Sequence, residues 1–535
     1  MLQTKNHEGL FSRANQLALE RDYKKAIELY NTLIESDPKN TLYKIHLGVA
    51  YFDAGDYLNV IKITSDYLKL EAKAPFVHQL RGRAFFKLEK FESSLDEFNL
   101  EIKKNPDYAE VYCDKAYSLH ALNRANESLE SAMKASQMDP KISDAYNCMA
   151  MSLNLQGRYK DAIERCLQAI ELDGSNPNFY RTLGDISYNQ EDFKGAIKFY
   201  KRSCRDGDNF FISAFQKSRA HLSSFDFESG WQLYENRHLR ESKSKAHLYQ
   251  EFSKINFKSI KKILILKEQG IGDEILFGSL LHEIDDHNRE VYVEIDERLI
   301  SIFKRSFLHI KFFIGENSPM EFKPDITFGI GSLAGFLRQS VDSFKNQKIK
   351  FLESEKYKTL DLKDRLSQLK THPHQKVCGI AWRSQNKQFG IQKSIDLGYL
   401  EMIFKIPNVI FVSLQYGVHE EELDKIKKSC GVKIHNLSDI DLYHDIESLC
   451  SLVDACDFII TSSNLVVHLA GSLGKKTFLL APRGEGRLFY WYIGLKKSLW
   501  YSSVSVFHQK DVGNWQDPII EIYQEIMREK IYILK

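Results

Sequence analysis

Apolar and polar positions are arranged in two different ways along the chain. Residues 1–210 carry apolar and small residues at helical spacing, in short segments separated by polar turns. From Lys261 onward the pattern changes to short, nearly continuous apolar runs separated by helical segments. The sequence therefore predicts a helical N-terminal part followed by a part in which strands and helices alternate.

The helical pattern of the first 210 residues repeats every 34 residues. Small residues recur at Ala14, Gly48, Gly82, Ala116, Ala150 and Gly184. Aromatic residues recur at Tyr23, Tyr57, Phe91, Tyr159 and Phe193, with Ala125 in the one gap. A third series runs through Ala26, Val60, Ser94, Ser128, Ala162 and Ala196, and prolines end three units at Pro38, Pro106 and Pro140. Three series in one register predict six stacked helix–turn–helix units, in which a small residue on one helix lets the next approach closely.

This spacing resembles the tetratricopeptide repeat (TPR). The resemblance implies an α-helical superhelix whose groove binds an extended segment of a partner protein. The alternative is an array that only dimerises or stiffens the chain. Residues 225–239 are predicted to form a last helix that seats the array on the C-terminal part of the chain, and residues 242–262 to form a polar linker along the surface.

Nine apolar runs after Lys261 predict an α/β fold with parallel sheets. They are 263–266, 291–295, 311–315 and 326–330, then 377–382, 409–414, 432–437, 457–461 and 477–481. The runs predict two Rossmann-like halves facing a cleft, joined by 355–375, with a C-terminal helix around 516–529 that crosses back to the first half. The predicted divisions are a TPR superhelix (1–210), a helical bridge and linker (211–260), and the two halves (261–365 and 366–535).

Composition narrows the function classes. Lys and Arg total 74 against 72 Asp and Glu, so the net charge of +2 does not indicate a nucleic-acid-binding protein. None of the eight cysteines forms a CxxC pair or a zinc-like cluster with histidine, which is typical of a reducing compartment. The N-terminus lacks the apolar segment of a signal peptide, and no window holds 18 successive apolar residues. We expect a cytoplasmic protein with no transmembrane segment and no metal site.

Ligands of parallel sheets bind beyond the carboxyl ends of strands, so the residues after each run are the candidates for a site. The first run is followed by KEQGIGDEILF, where Gly270 and Gly272 permit a tight turn and a close backbone approach before a helix N-terminus. A dinucleotide fingerprint would need a glycine at Ile275 and a Walker A loop would need GK[ST], so neither motif is complete. Asp273 is either a helix cap or a base that faces the cleft.

Two strand ends in the second half also carry polar residues. After 377–382, Arg383, Ser384, Lys387, Lys393 and Ser394 either bind a diphosphate or lie in a solvated loop.

After 457–461, Ser462, Ser463 and Asn464 lie where a helix starts and can cap it. His468 follows Asn464 by one helical turn and is either structural or a ligand contact. The next run is followed by Arg487 and four aromatic residues, which either flank a ring or, more commonly, pack in the core.

Taken in order, these segments resemble the glycosyltransferase module of bacterial TPR-containing glycosyltransferases, which are similar to the ADP-heptose:lipopolysaccharide heptosyltransferases. The stretches that carry the resemblance are GWQLYENR, LILKEQGIGDEILFGSLL, IAWRS…KSIDL, FVSLQYG, SSNLVVHLAGSLGKKTFLL and SLWYSSVSVFHQ, spread over residues 225–510. The resemblance implies a GT-B fold of two Rossmann-like domains, no essential metal and no cofactor, with a nucleotide-sugar donor held mainly by the second half.

The resemblance also implies residue roles. Asp273 matches the candidate catalytic base. The predicted donor-binding residues are Arg383, Ser384, Lys393, Gln415, Ser463, Asn464, His468 and Arg487. The heptosyltransferases usually carry an aspartate where this chain has Ser463, so the donor need not be an ADP-heptose.

We therefore expect inverting transfer of a sugar to a hydroxyl group of a protein held by the repeats, with flagellin or another surface protein favoured. Two alternatives stay open at this point. One is a lipopolysaccharide or other glycan acceptor, and the other is a TPR scaffold whose transferase module has lost its activity.

Overall fold

The computed structural model describes residues 2–70, 76–204, 208–237, 257–315, 322–386, 389–417 and 419–531. Most of the predicted linker (242–256) and Lys387 lie outside these residues. The chain divides into two compact units, Met1–Thr182 and Leu183–Lys535. The divisions predicted at residues 210, 260 and 365 stay predictions. In the part of the chain that is described, none of the helices has the length and apolar character needed to cross a bilayer.

Fourteen helices among the described residues precede the first strand, and they confirm a helical solenoid. They are α1 (Leu2–Leu19), α2 (Tyr23–Ser36), α3 (Thr41–Asp53), α4 (Tyr57–Leu70), α5 (Val77–Lys87), α6 (Phe91–Lys104), α7 (Ala109–Ala121), α8 (Ala125–Met138), α9 (Ser143–Leu155), α10 (Tyr159–Leu172), α11 (Pro177–Asn189), α12 (Phe193–Ser203), α13 (Asp208–Ser223) and α14 (Phe227–Tyr234).

A residue with left-handed backbone lies in the turn inside each helical pair and recurs every 34 residues. These residues are Arg21, Gly55, Glu89, Asn123, Gly157, Glu191 and Phe225. Phe225 extends the series by one step, and Phe227 and Gly230 extend the aromatic and third series in the same way. The segment predicted as a bridge therefore forms, as α13 and α14, a seventh helical pair in the register of the repeats.

The small-residue series matches the space between paired helices. A Cβ at Gly82 would lie 2.6 Å from Cε1 of Phe98 on α6. We expect Gly82→Ala to lower the free energy of unfolding by roughly 1–3 kcal/mol through overpacking, although alanine is the better helix former. Gly9→Ala is the matched control, since nothing lies within 4 Å of its Cβ position. Urea denaturation followed by helical circular dichroism compares the two, and equal transitions would contradict the packing argument.

The second unit contains two parallel sheets, which confirm the predicted α/β class. The strands are β1 (Lys262–Leu266), β2 (Glu290–Glu294), β3 (Lys311–Phe313), β4 (Ile326–Gly329), β5 (Lys376–Ala381), β6 (Val409–Ser413), β7 (Ile434–His435), β8 (Phe458–Ser462), β9 (Thr477–Ala481) and β10 (Val504–His508). The first sheet has the order β3-β2-β1-β4 and the second β10-β9-β8-β5-β6-β7. The strand β10 was not predicted from the sequence.

Ten further helices surround these strands in the described part of the chain. They are α15 (Ile271–Gly278), α16 (Ile300–Ser306), α17 (Ser332–Leu337), α18 (Lys356–Gln368), α19 (Gly390–Lys393), α20 (Glu401–Phe404), α21 (Glu420–Cys430), α22 (Ile446–Ala455), α23 (Leu465–Ser472) and α24 (Gln516–Arg528). The C-terminal helix α24 packs on the second sheet rather than crossing back to the first half, because Ile519, Ile522 and Ile526 share a buried cluster with Phe478 and Phe507.

One hydrophobic cluster runs through both halves. It contains Ile275 and Leu276 of α15 together with Val466 and Val467 of α23. The helix that follows the central strand of the first sheet therefore packs with a helix that follows a strand of the second sheet. This packing brings two helix N-termini, at two carboxyl strand ends, to the same place.

Candidate active site

The helices α15 and α23 meet at Gly272 and His468. A Cβ added to Gly272 would lie 3.0 Å from Cδ2 of His468 and 3.3 Å from its Nε2. A larger residue at position 272 would therefore push the histidine out of place. The close approach of α23 explains why the turn after β1 contains glycine. The structure also brings together two predicted site residues, Gly272 and His468.

Asp273 follows Gly272 and is half-buried at the same junction. Its Oδ2 accepts a hydrogen bond from the Gly270 amide at 3.4 Å, and the Tyr490 hydroxyl also hydrogen-bonds to the carboxylate. Burial raises the pKa of Asp273 to about 6, while the nearby charge of Lys393 opposes that rise. The helix-cap contact is thus present, and a carboxylate with this pKa is also suited to accepting a proton near neutral pH.

Lys393 is a buried cation in the same cleft. Lys393 is 7% exposed, and its ammonium makes no hydrogen bond or ion pair with any part of the chain that is described. Burial lowers the pKa of Lys393 to about 8, against the opposing charge of Asp273, and Arg219 lowers it further. Because burial disfavours the charged ammonium and Asp273 offsets this effect without an ion pair, the position favours an anionic ligand.

His468 is a neutral side chain in this site. It is buried, and its Nδ1 lies 3.0 Å from the Tyr501 hydroxyl. Burial lowers the pKa of His468 to about 3, and Lys393 adds to that effect. The imidazole can therefore exchange hydrogen bonds with a ligand at neutral pH but supplies no charge, which leaves the positive charge to Lys393.

Two predicted donor-binding residues hold the loop after β5. The buried Gln415 Oε1 accepts hydrogen bonds from the amides of Trp382 at 3.1 Å and Arg383 at 2.8 Å. Asn464 caps α23 through the Val466 amide at 2.9 Å, and its Nδ2 donates to the Arg383 carbonyl at 3.2 Å. Asn464 therefore caps the helix, as one of the alternatives predicted. A direct contact of Gln415 or Asn464 with the nucleotide-sugar stays a prediction.

Three more predicted residues have partners within the second half. The Arg383 guanidinium pairs with Glu422 at 3.0 Å. The Ser384 amide donates to the Ser394 hydroxyl at 3.2 Å. Trp491 Nε1 donates to the Ser463 hydroxyl at 3.0 Å, which gives this serine a packing role where the heptosyltransferases usually have aspartate.

Arg487 lies against the sixth helical pair. Its Nη2 donates to the Tyr188 carbonyl at 2.6 Å, and its guanidinium carbon is 4.5 Å from the centre of the Tyr188 ring. Glu191 lies 3.8 Å from Nη1. The predicted donor contact of Arg487 is untested, and the four aromatic residues after it are buried, as in the more common alternative.

A buried ion pair holds the turn that carries Asp273. Arg237 Nε and Nη2 donate to the two carboxylate oxygens of Glu268 at 2.8 and 2.7 Å, and one of these oxygens also accepts from the Gly331 amide at 2.6 Å. Gln269, whose φ is +61°, donates to the Tyr234 hydroxyl at 2.8 Å. The GWQLYENR stretch contains Tyr234 and Arg237, but nothing in the sequence indicates that they contact the turn.

A second feature missed from the sequence is a cavity of about 260 Å³ beyond the carboxyl ends of β6 and β7. Tyr416 and Tyr443 line it with ring centres 5.5 Å apart, and His419, Asn436 and Asp441 add polar groups. Within the described ranges, no three His, Cys, Asp or Glu side chains are placed to share a metal ion.

Comparison with known families identifies the repeats. Tetratricopeptide repeat profiles match residues 13–59 and 150–209, and another profile of the same repeat matches residues 109–142. The N-terminal region therefore contains tetratricopeptide repeats, which supports a protein-binding array.

Two kinds of relatives were found. Protein FlbA of Caulobacter vibrioides (strain ATCC 19089 / CIP 103742 / CB 15) is 26% identical over 566 residues, covering 94% of this chain and 87% of the relative. Among solved structures, a tetratricopeptide repeat protein from Parabacteroides merdae ATCC 43184 is 14% identical with a TM-score of 0.39, covering 45% of this chain and 95% of that one. The MamA protein is 19% identical with a TM-score of 0.29, covering 32% of this chain and 93% of that one.

Proposed function

We propose that the chain is a glycosyltransferase that moves a sugar from a nucleotide-sugar to a hydroxyl group of a protein captured by the repeats. The observation that carries this proposal is the buried Lys393 near Asp273, whose ammonium makes no hydrogen bond or ion pair within the described residues. A buried cation that forms no ion pair among the described residues and a carboxylate with a pKa of about 6 are the two groups that this transfer requires. The resemblance of residues 225–510 to the heptosyltransferase module supports the same reaction.

The residues divide the chemistry between them. The acceptor oxygen attacks the anomeric carbon as the bond from that carbon to the leaving phosphate oxygen breaks, and Asp273 takes the acceptor's proton. Lys393 stabilises the negative charge that develops on the leaving group, aided by the N-terminus of α23. His468 orients the donor by a neutral hydrogen bond, while the 260 Å³ cavity beyond β6 and β7 gives room for the nucleoside.

The proposal predicts a bell-shaped pH dependence of kcat/KM. Asp273 must be ionised, so activity rises with pH through its pKa of about 6. Lys393 must be protonated, so activity falls through its pKa of about 8. Because kcat/KM reports the free enzyme, steady-state rates between about pH 5 and 9 should peak near pH 7. A rate that is flat across this range would contradict the assignment of both groups.

A thermal-shift screen of the full chain against UDP-, ADP-, GDP- and CMP-linked sugars tests the proposal. A true donor at 100 times its Kd should stabilise the fold by about 2.7 kcal/mol through mass action. Lys393→Met should remove this shift. The control Lys363→Met changes an exposed lysine of α18 and should keep it. Failure of every nucleotide-sugar to raise the Tm, or an unchanged shift in Lys393→Met, would overturn the donor site.

A further inference from the structure

The last two helical pairs lie in the same compact unit as the two sheets. That unit begins at Leu183, so the end of α11 and all of α12, α13 and α14 belong to it. Residues 483–487, which follow β9 and are called the β9 turn below, make hydrogen bonds with α11 and with α13. The β9 turn is therefore the point at which these helical pairs meet a carboxyl strand end.

The side chain of Arg487 points from the β9 turn to the sixth helical pair. It is 2% exposed, and besides its contacts with Tyr188 its guanidinium carbon lies 5.2 Å from the centre of the Phe193 ring. Glu191 lies 3.8 Å from Nη1 of Arg487 and 3.5 Å from Nε of Arg483, on the same turn. The guanidinium of Arg487 is thus held by the helical pair, so it fixes the turn rather than facing a ligand.

Arg219 of α13, in the seventh helical pair, holds the same turn. Its Nη2 donates to the Arg487 carbonyl at 3.1 Å, and its Nη1 donates to Oε1 of Gln216 at 2.7 Å. Its guanidinium carbon lies 4.9 Å from the centre of the Tyr188 ring, which Arg487 also contacts. Arg219 forms no ion pair with any carboxylate of the described residues, so no direct contact there neutralises its charge.

The β9 turn packs on the helix that carries Lys393. A Cβ added to Gly486 would lie 2.8 Å from Cβ of Gln392, the residue before Lys393 in α19. A contact this close leaves no room for a side chain at position 486 unless α19 moves. The position of α19, and with it that of Lys393, therefore depends on the β9 turn.

Charged groups of several elements act on Lys393. Asp273 of α15 stabilises its charged form, whereas Arg219 repels it as a like charge and so lowers the pKa of Lys393. His468 of α23 is neutral, because burial lowers its pKa to about 3. Glu485 lies on the β9 turn itself and is half-buried. The charge that opposes Asp273 at Lys393 is thus supplied by a helical pair in the register of the repeats.

We propose that Arg219 is a positioning residue of the donor site, which holds the β9 turn against α19 and adds a positive charge near Lys393. The seventh helical pair is then part of the transferase as well as of the repeat array. That the positioned site binds a nucleotide-sugar rests on the proposed function, whereas the effect of Arg219 on Lys393 does not.

Titration of Lys393 by NMR in the full chain tests the proposal without any substrate. With lysine labelled with carbon-13 at Cε, Lys393 gives the resonance that is missing in Lys393→Met, and its midpoint should lie at about pH 8. Arg219→Gln removes the like charge, so this midpoint should rise. The matched control Lys217→Gln removes a cation of the same helix that lies near Cys204, and should leave the midpoint in place. An unchanged midpoint in Arg219→Gln would overturn the proposal.

Arg219→Lys separates the charge from the contact with the turn. It keeps the charge, so Lys393 should titrate closer to the unchanged chain than in Arg219→Gln, but it loses the planar group that bonds the Arg487 carbonyl. The kcat of transfer should therefore fall in both Arg219 variants, by up to about 10²-fold through misplacement of Lys393, and stay unchanged in Lys217→Gln. An unchanged kcat in both Arg219 variants would overturn the positioning role. A raised Lys393 midpoint in Arg219→Gln, with no response of the unchanged chain to any nucleotide-sugar, would contradict the proposed function alone.

Discussion

Asp273→Asn is expected to reduce glycosyl transfer by about 10²–10⁴-fold, which is the usual contribution of a positioned general base. The amide oxygen can still accept the Gly270 amide, so the cap contact and the fold should survive. The amide cannot take the acceptor's proton at neutral pH. Transfer rates at saturating donor and acceptor measure the loss in kcat.

The control for this variant is Asp286→Asn. Asp286 also accepts a backbone amide, that of Asn288 at 2.8 Å, but it lies before β2, at the amino end of that strand. Donor-induced stabilisation should persist in both variants, because the proposal assigns the diphosphate contact to Lys393. Full transfer activity in Asp273→Asn would remove Asp273 from the role of base.

Arg237→Ala is expected to give the largest loss of stability. Arg237 is 1% exposed and pairs through two nitrogens with the buried Glu268. Removing one partner of a buried pair typically costs about 3–5 kcal/mol, because the other charge stays buried without compensation. Chemical denaturation followed by tryptophan fluorescence should report this loss, since Trp231 lies in the core of the same unit.

Two further variants separate charge from geometry at this pair. Arg237→Lys keeps the charge but loses the two parallel hydrogen bonds, so its stability should be intermediate. The double change Arg237→Met and Glu268→Met removes both charges and should recover part of the lost stability. A loss below about 1 kcal/mol in Arg237→Ala, well short of the usual cost of breaking a buried pair, would contradict the assigned role.

The repeats were the most predictable part of the fold because their signals are local. A step of 34 residues places Gly82 and Phe91 in one helical pair with no knowledge of the rest of the chain. The seventh helical pair was not predicted as a repeat, because the residues at its repeat positions match the three series less closely. Its turn uses Phe225 in a left-handed conformation where glycine serves at Gly55, and no composition rule predicts that choice.

The strands of the second unit were predicted from apolar runs, but their order was not. An apolar run such as 263–266 indicates a buried strand. Its place between β2 and β4 depends on crossover connections that are many residues long. The strand β10 was not predicted because VSVFH is short and lies beside an aromatic stretch whose pattern also indicates buried core.

The sequence predicted which types of residue form the candidate site, but not how these residues are arranged in space. Gly272 and Asp273 were identified from their place after a strand, and the structure adds why position 272 is glycine. The burial of Lys393 and the hydrogen bond from Tyr490 to Asp273 could not be predicted, because they join segments separated by more than 100 residues. The sequence also could not show that Gln415 and Asn464 hold the Arg383 loop, because these contacts join strand ends that are 32 and 81 residues apart in the chain.

A crystal structure of the full chain with a saturating nucleoside diphosphate would decide whether Lys393 and Asp273 belong to a donor site. We expect phosphate oxygens within hydrogen-bonding distance of Lys393 Nζ, in the cleft that Asp273 and His468 line, with the nucleoside toward Tyr416 and Tyr443. Electron density for the nucleotide on another surface, or an empty cleft with Lys393 still unpartnered at saturating concentration, would contradict the proposed site.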